Sequence, residues 1–220
     1  FIISLFLFIA CSENRETKNN YEGPLFTLLN PDKAGVNFIN KIPESASMNI
    51  IVYPSIYAGA GVSVGDINND NLPDIFFTAN FGNNRLYLNK GNLQFENLAP
   101  SQGLDQLTFS TGSAYSDLDN DGDLDLVVNN LNERAFVYQN NSNPGTTTNY
   151  LSLDLGNAFG AKVTLYTVGE SQVQEFQPVK GYMSSVDPRL NFGVGKYTQI
   201  DSIHIDWPTG KRTLLTKIAA

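Results

Sequence analysis

The chain predicts an all-β fold: a partial β-propeller of about two blades followed by a small C-terminal β-sandwich-like domain. Three observations predict it. No stretch of the 220 residues keeps the apolar period of an amphipathic helix, while short β-rich runs recur between Gly, Pro, Asn and Asp. An aspartate-rich loop, D-L-D-N-D-G-D-L-D at Asp117–Asp125, has a fainter copy, D-I-N-N-D-N-L-P-D, at Asp66–Asp74. The two loops begin 51 positions apart, each set between a small-residue strand and an apolar strand. A unit near 50 residues with about four short strands is the period of a propeller blade.

Composition narrows the function. A hydrophobic content of 41% with a net charge of −8 describes a globular chain. It lacks the positive field that nucleic-acid binding requires. Cys11 is the only cysteine and His204 the only histidine. Neither a disulfide framework nor a zinc site of Cys and His, nor a histidine-based triad, can be assembled from this chain alone. No G-x-S-x-G and no P-loop occurs.

Phe1–Ala10 is almost wholly apolar. At ten residues it is about half of the ~20 needed to span a bilayer, and it matches the length of a signal-peptide core. With no initiator Met and no basic residues ahead of it, the start of the chain is expected further upstream. Ala10-Cys11 resembles the cleavage and acylation site of bacterial lipoproteins, which makes residues 1–11 an export signal and Cys11 the lipidated residue. Residues 12–22 are polar and read as a flexible tether.

Strands are expected at Leu25–Leu29, Val36–Ile39 and Asn49–Tyr53, contributing to a partial third blade. Others are expected at Gly61–Val64, Ile75–Thr78, Leu86–Leu88, Ser113–Tyr115, Leu126–Val128 and Ala135–Tyr138. Self-alignment sets Gly59–Asn80 against Ser110–Asn130, and Arg85–Asn89 against Arg134–Tyr138. Asn89-Lys90-Gly91-Asn92 reads as a hairpin turn.

Gly59–Asn97 and Ser110–Asn140 resemble FG-GAP/VCBS repeats, the calcium-bearing blades of integrin-type propellers. The repeat region is accordingly set at 23–140, with blades at about 59–97 and 110–140, and residues 141–149 form a turn-rich linker. The runs Phe159–Val163, Gly181–Pro188, Asn191–Gly195 and Asp206–Lys211 make Asn149–Leu215 similar to an ASPIC/UnbV domain, placed at 150–218. The whole resembles bacterial surface lipoproteins that carry many more repeats. Two blades cannot close the ring of four to eight that propellers use, so a shortened or partial version is expected.

Calcium takes six to eight oxygen ligands, often from carboxylates closely spaced on one loop. In the second loop, positions 1, 3, 5 and 9 are Asp117, Asp119, Asp121 and Asp125. Asp123 at position 7 would offer its backbone carbonyl, and Gly122 at position 6 permits the turn. The first loop offers Asp66, Asn68, Asp70 and Asp74 with the carbonyl of Leu72, and Asn71 stands at the glycine position. An EF-hand is excluded: its closing Glu at position 12 is Phe77 or Val128 here, and a strand follows instead of a helix. Position 9 must close the site, which fits the FG-GAP pattern. Ca²⁺ is expected at both loops, more tightly at the second. The plain alternative, aspartates that only make Asx turns, sits poorly with two copies at matching positions.

Beyond the linker, strands are expected at Tyr150–Leu155, Ala161–Thr167, Gln172–Gln177, Ser202–Trp207 and Thr213–Leu215. Ile203, Ile205 and Trp207 share one face of their strand, and His204 points to the other as a surface residue. The turn Gly181–Arg189 holds Tyr182, Asp187 and Arg189. A structural role is expected there, with Asp187 and Arg189 pairing about Pro188.

These readings converge on a non-enzymatic, Ca²⁺-binding module of the cell envelope. It would be exported, held on the outer membrane by its lipid, and would bind or adhere to extracellular polysaccharide or a surface protein. Two alternatives remain. One is an envelope hydrolase acting on glycans, since paired carboxylates perform that chemistry, although the dense Asp clusters are already used by the loops. The other is a structural remnant of a larger surface receptor.

Overall fold

The computed structural model describes residues 24, 26–57, 59–142, 148–179 and 185–220. The export signal, Cys11 and the tether lie outside the described residues, as does Tyr182. Pro31–Ala220 form the compact unit described below. Among the described residues no helix is long and apolar enough to cross a membrane.

The fold is all-β, as predicted. The strands are β1 (Val62–Gly65), β2 (Asp74–Phe77), β3 (Gly82–Asn83), β4 (Arg85–Asn89), β5 (Phe95–Asn97), β6 (Leu107–Thr108), β7 (Ser110–Ser116), β8 (Asp125–Asn130) and β9 (Phe136–Tyr138). The C-terminal part adds β10 (Asn149–Leu153), β11 (Lys162–Thr167), β12 (Glu170–Glu175), β13 (Leu190–Gly195), β14 (Gln199–Asp206) and β15 (Arg212–Ala219). The first repeat is an antiparallel sheet in the order β1-β2-β4-β5, and the second is the sheet β7-β8-β9. The short pair β3-β6 joins the turn between β2 and β4 of the first repeat to the segment just ahead of β7.

The two repeats superpose in register. Ile75 pairs with Tyr87 in the first, and Leu126 with Tyr138 in the second, so the 51-residue spacing holds through the third strand. This corrects the alignment of Arg85 with Arg134. Arg85 pairs with Phe77, and the residue that pairs with the equivalent Val128 is Phe136. Register follows the buried face of a strand, whereas Arg134 sits in the preceding turn.

Among the described residues of the expected third blade no strand forms. Residues 26–30 are irregular, Pro31–Ala34 is one helical turn and Pro54–Tyr57 a 3₁₀ turn. Local chemistry overrides the β-rich composition at 49–53. Asn49 Oδ1 accepts the N–H groups of Ile51 at 3.0 Å and Val52 at 3.3 Å, which winds that run into an Asx turn. The segment instead laces across the first repeat. Phe38 stacks on Phe77 with ring centres 4.9 Å apart, and the Tyr87 hydroxyl donates to Asn37 Oδ1 at 3.0 Å. Gly35, at φ 77°, lies so close to the Phe95 carbonyl that any side chain would collide with it.

Strands β1 and β7 stand side by side where the repeats meet, joined by the Ser63 and Ser113 hydroxyls at 2.6 Å. Phe76, Leu86 and Val128, each nearly or fully buried, share one core across the two sheets. Each such side chain contributes about 1.5–3 kcal/mol by leaving water.

The C-terminal part is a sandwich. The pair β10-β13 packs on the sheet β12-β11-β14-β15. Val163, Leu165, Phe192, Val194, Ile200, Ile203 and Ile205 fill the space between. Ile203 and Ile205 point inward and Trp207 packs against the same core, as the alternation predicts. His204 faces outward beside the Tyr166 ring, 4.9 Å centre to centre.

The turn entering β13 fastens this sandwich to the second repeat. Arg189 Nη2 donates to Asp187 Oδ2 at 2.6 Å, and the Ser116 hydroxyl of β7 donates to the same oxygen at 2.8 Å. The expected Asp187–Arg189 pairing therefore forms. Hydrogen bonds from Arg189, with that of Ser116 and against some burial, hold Asp187 down at about 2. A depressed carboxylate stabilises the fold above its unfolded value of about 3.9 and loses that contribution as pH falls toward 2. The urea midpoint of the parent should fall more steeply than that of Asp187→Asn between about pH 4 and 2. The difference at neutral pH should be about 1 kcal/mol, given solvent screening.

Candidate metal centres

Each aspartate loop follows the inner strand of its repeat and delivers the chain into the second strand. The hydrogen-bond pattern repeats position by position. Asp66 Oδ1 accepts the N–H of Asp70 at 3.0 Å, and Asp117 Oδ1 that of Asp121 at 3.1 Å. Asp70 Oδ1 accepts the N–H of Leu72 at 2.9 Å, and Asp121 Oδ1 that of Asp123 at 3.1 Å. These are Asx-type turns that curl each loop around a centre. The left-handed residues also match: Asn69 (φ 56°) with Asn120 (φ 61°), and Asn71 (φ 76°) with Gly122 (φ 95°). Asn71 thus takes the conformation that glycine takes in the better copy.

The ninth residue has a second job. Asp74 accepts the N–H of Ile67 at 3.0 Å and of Asn89 at 2.7 Å. Asp125 accepts the N–H of Leu118 at 2.8 Å and of Asn140 at 2.8 Å. One carboxylate therefore ties the start of the loop to the end of the third strand. Asn89 and Asn140 return the contact, donating from Nδ2 to the carbonyls of Pro73 (2.9 Å) and Leu124 (3.2 Å). Sequence reasoning missed both asparagines; the 51-residue spacing, carried past the third strand, would have paired them.

In the second loop, ligand oxygens of Asp117, Asp119 and Asp125 all lie within 4.8 Å of one another. Asp121 is not of this trio; its Oδ1 holds the turn. Asp123 is fully buried, and its Oδ2 accepts the Ser142 hydroxyl at 3.2 Å. Among the described residues the first loop holds no comparable trio. There Asn68 Nδ2 donates to Asp70 Oδ2 at 3.0 Å, turning that side chain toward its neighbour.

The chemistry fits a hard cation. Every donor is an oxygen, and closely spaced carboxylates repel one another unless a positive charge sits among them. Burial pushes Asp66 up to about 6, with Asp70 adding repulsion. Burial likewise pushes Asp74 up to about 7, with Asp66 and Asp70 adding repulsion. The hydrogen bonds they accept pull the other way but do not win. Such carboxylates are what a bound cation would neutralise.

The sandwich seats on one side of both loops, leaving Asp70 and Asp119–Asp121 exposed. Gly122 lies under the ring of Tyr150, the second residue of β10, and would strike it with any Cβ. Gly193 of β13 lies so close to Asp66 and Asn69 that a Cβ would meet the Asn69 backbone at 2.5 Å. Gly195 N–H donates to the Asn69 carbonyl at 3.0 Å, and Asn69 Nδ2 donates to the Gly122 carbonyl at 3.1 Å. Arg189 adds donors to Asn120 Oδ1 at 3.1 Å and to the Asp117 carbonyl at 3.2 Å.

Paired repeats with curled acidic loops, capped by a sandwich, define a module of propeller-type repeats joined to a C-terminal β-domain. The chain carries an FG-GAP-like repeat, matched over residues 66–128, followed by an ASPIC and UnbV domain, matched over residues 155–220. Cartilage acidic protein 1 from Homo sapiens is 30% identical over 167 residues, covering 68% of this chain and 25% of that protein. The Mus musculus protein of the same name is 29% identical over the same length and shares. That from Xenopus tropicalis is 32% identical over 114 residues, or 46% of this chain and 18% of that protein. The chain thus spans about a quarter or less of the length of these relatives.

Two outcomes are expected. Gly193→Val should destabilise the fold by about 1–3 kcal/mol or more through overpacking, read as a lowered urea midpoint, whereas Gly112→Ala, with nothing near its Cβ and no left-handed backbone, should cost less. Second, a carboxylate whose folded pKa is raised favours the protonated folded state. Asp66 and Asp74 should therefore lower the stability of ion-free protein as pH rises from about 4 to 7. A smaller pH slope for Asp74→Asn in chelator-treated protein checks this.

Proposed function

We propose that the chain is a non-enzymatic, Ca²⁺-ordered binding module that works outside the cell. The observation that carries this is the trio of Asp117, Asp119 and Asp125 on a loop whose turn geometry recurs in the first repeat. Asp117, Asp119 and Asp125 would hold the ion in the second loop through side chains, with Asp121 nearby and the Asp123 carbonyl completing the set. Asp66, Asn68, Asp70 and Asp74 with the Leu72 carbonyl would hold it in the first. Calcium supplies no chemistry to a reaction here; it neutralises clustered carboxylates and stabilises the folded state by mass action. The matched FG-GAP-like repeat supports this reading. The name of the relatives, cartilage acidic protein 1, fits an extracellular setting.

The module's partner is an extracellular polysaccharide or a surface protein. An export signal ending at Cys11 would place it on the envelope as an outer-membrane lipoprotein. The sandwich supports a binding role because it seats on both acidic loops, so ion occupancy and domain docking reinforce each other.

Calorimetry on chelator-stripped protein tests the ions. The expected result is uptake of two Ca²⁺, the second loop tighter, with Kd values in the roughly 10⁻⁴–10⁻³ M range or somewhat better. Asp119 is exposed and its Oδ2 accepts the Gln139 Nε2–H at 2.7 Å, so Asp119→Ala should weaken one site roughly tenfold or more while ion-free stability changes by less than about 1 kcal/mol. Absence of heat and of any thermal shift with millimolar Ca²⁺ would refute the reading.

A further inference from the structure

A cavity of about 280 Å³ opens where the two acidic loops meet the sandwich. Its walls come from three bodies: Asp66 and Asp117, the first residues of the two loops; Tyr115 of β7; and Ser152, Gln172, Gln174 and Asn191 of the sandwich. The polar groups are pre-positioned. Gln172 Nε2 donates to the Gly193 carbonyl and Gln174 Nε2 to the Asn191 carbonyl, both at 2.6 Å. Each amide is thereby held in one orientation, with Oε1 left as an acceptor. Asn191 Nδ2, at the same wall, is buried from solvent and has no hydrogen-bond partner among the described residues.

We propose that this cavity is the ligand pocket of the module and takes a single neutral pyranose residue of a glycan. The proposal rests on the reading of the chain as a Ca²⁺-ordered binding module. Fixed amides and hydroxyls beside an aromatic ring suit a compact polyhydroxylated ligand, whose every hydroxyl both donates and accepts. The volume lies at the lower edge of the ~300–1,000 Å³ range of small-molecule pockets, enough for one ring and too small for a protein segment. Charge sets the class further. Asp66, Asp117, Glu175 and Asp187 line the cavity, and the one lining cation among the described residues, Arg189, is already engaged by Asp187, Asn120 and the Asp117 carbonyl. Calcium on the loops would offset Asp66 and Asp117 as Arg189 offsets Asp187, so the lining is left close to neutral and gives neither an anionic nor a cationic sugar a strong counter-charge.

The experiment titrates the full chain in millimolar Ca²⁺ with the methyl glycosides of glucose, galactose, mannose and N-acetylglucosamine. Glucosamine and glucuronate serve as charged comparators, and ligand-observed NMR is the readout. At least one neutral glycoside should bind with a Kd on the order of 1 mM, as expected for so small a ligand. Ser152→Phe, which fills the cavity from β10, should weaken that binding at least about tenfold. Gln174→Ala should weaken it less, and both variants should keep the parent's Ca²⁺ uptake by calorimetry. The proposal is overturned if no neutral glycoside binds, if only a charged sugar binds, or if Ser152→Phe binds as the parent does. In those cases normal Ca²⁺ uptake leaves the module reading standing, whereas loss of uptake in the parent removes both.

Discussion

Everything in the repeat half depends on one short contact made twice. The ninth loop residue, Asp74 or Asp125, accepts one backbone N–H from the loop's own second residue and another from the asparagine that ends the third strand. A buried carboxylate is costly unless its lone pairs are met, and these N–H groups meet part of that need. The loop cannot curl without bringing the third strand home, and the strand cannot end without a curled loop. Local turn chemistry and sheet formation are therefore one event in each repeat.

The two repeats are not equal partners. The second has the converging trio, a glycine at the tight turn and the arginine of the sandwich over its first carbonyl. The first has two carboxylates raised by burial and an asparagine standing in for glycine. What it lacks in ligand geometry it makes up in enclosure. Asn69 is fully buried, with β13 on one side and Gly122 on the other. The first loop is thus the more structural of the two, and the second has the more open centre.

Much of this was readable in advance, because the signals were periodic. Short β-rich runs between turn residues found β1, β2 and β8, alternation found the inward pair Ile203 and Ile205, and the recurrence of Asp at alternate positions found both loops with Asn71 and Gly122 at their turns. The misses share a cause. Residues 49–53 have strand composition, but one asparagine side chain captures two backbone N–H groups and winds the run into a turn. Two arginines of like identity drew the third strands into a false alignment, since identity at a turn carries no information about which face is buried. The seating of the sandwich on the loops was beyond reach for another reason. It depends on what Gly193 and Gly122 do not have, and a missing side chain acquires meaning only when its neighbour is known.

That seating also gives the array a direction. Asn69 of the first loop is read on one side by Gly193 and Gly195 of the sandwich and on the other by Gly122 of the second loop. A further blade spliced between the second repeat and the sandwich would cost the contacts of Gly193 and Gly195 with Asn69, while the Asn69–Gly122 bond inside the repeat pair would survive. The order first repeat, second repeat, sandwich is thus written into one asparagine that touches both of its neighbours.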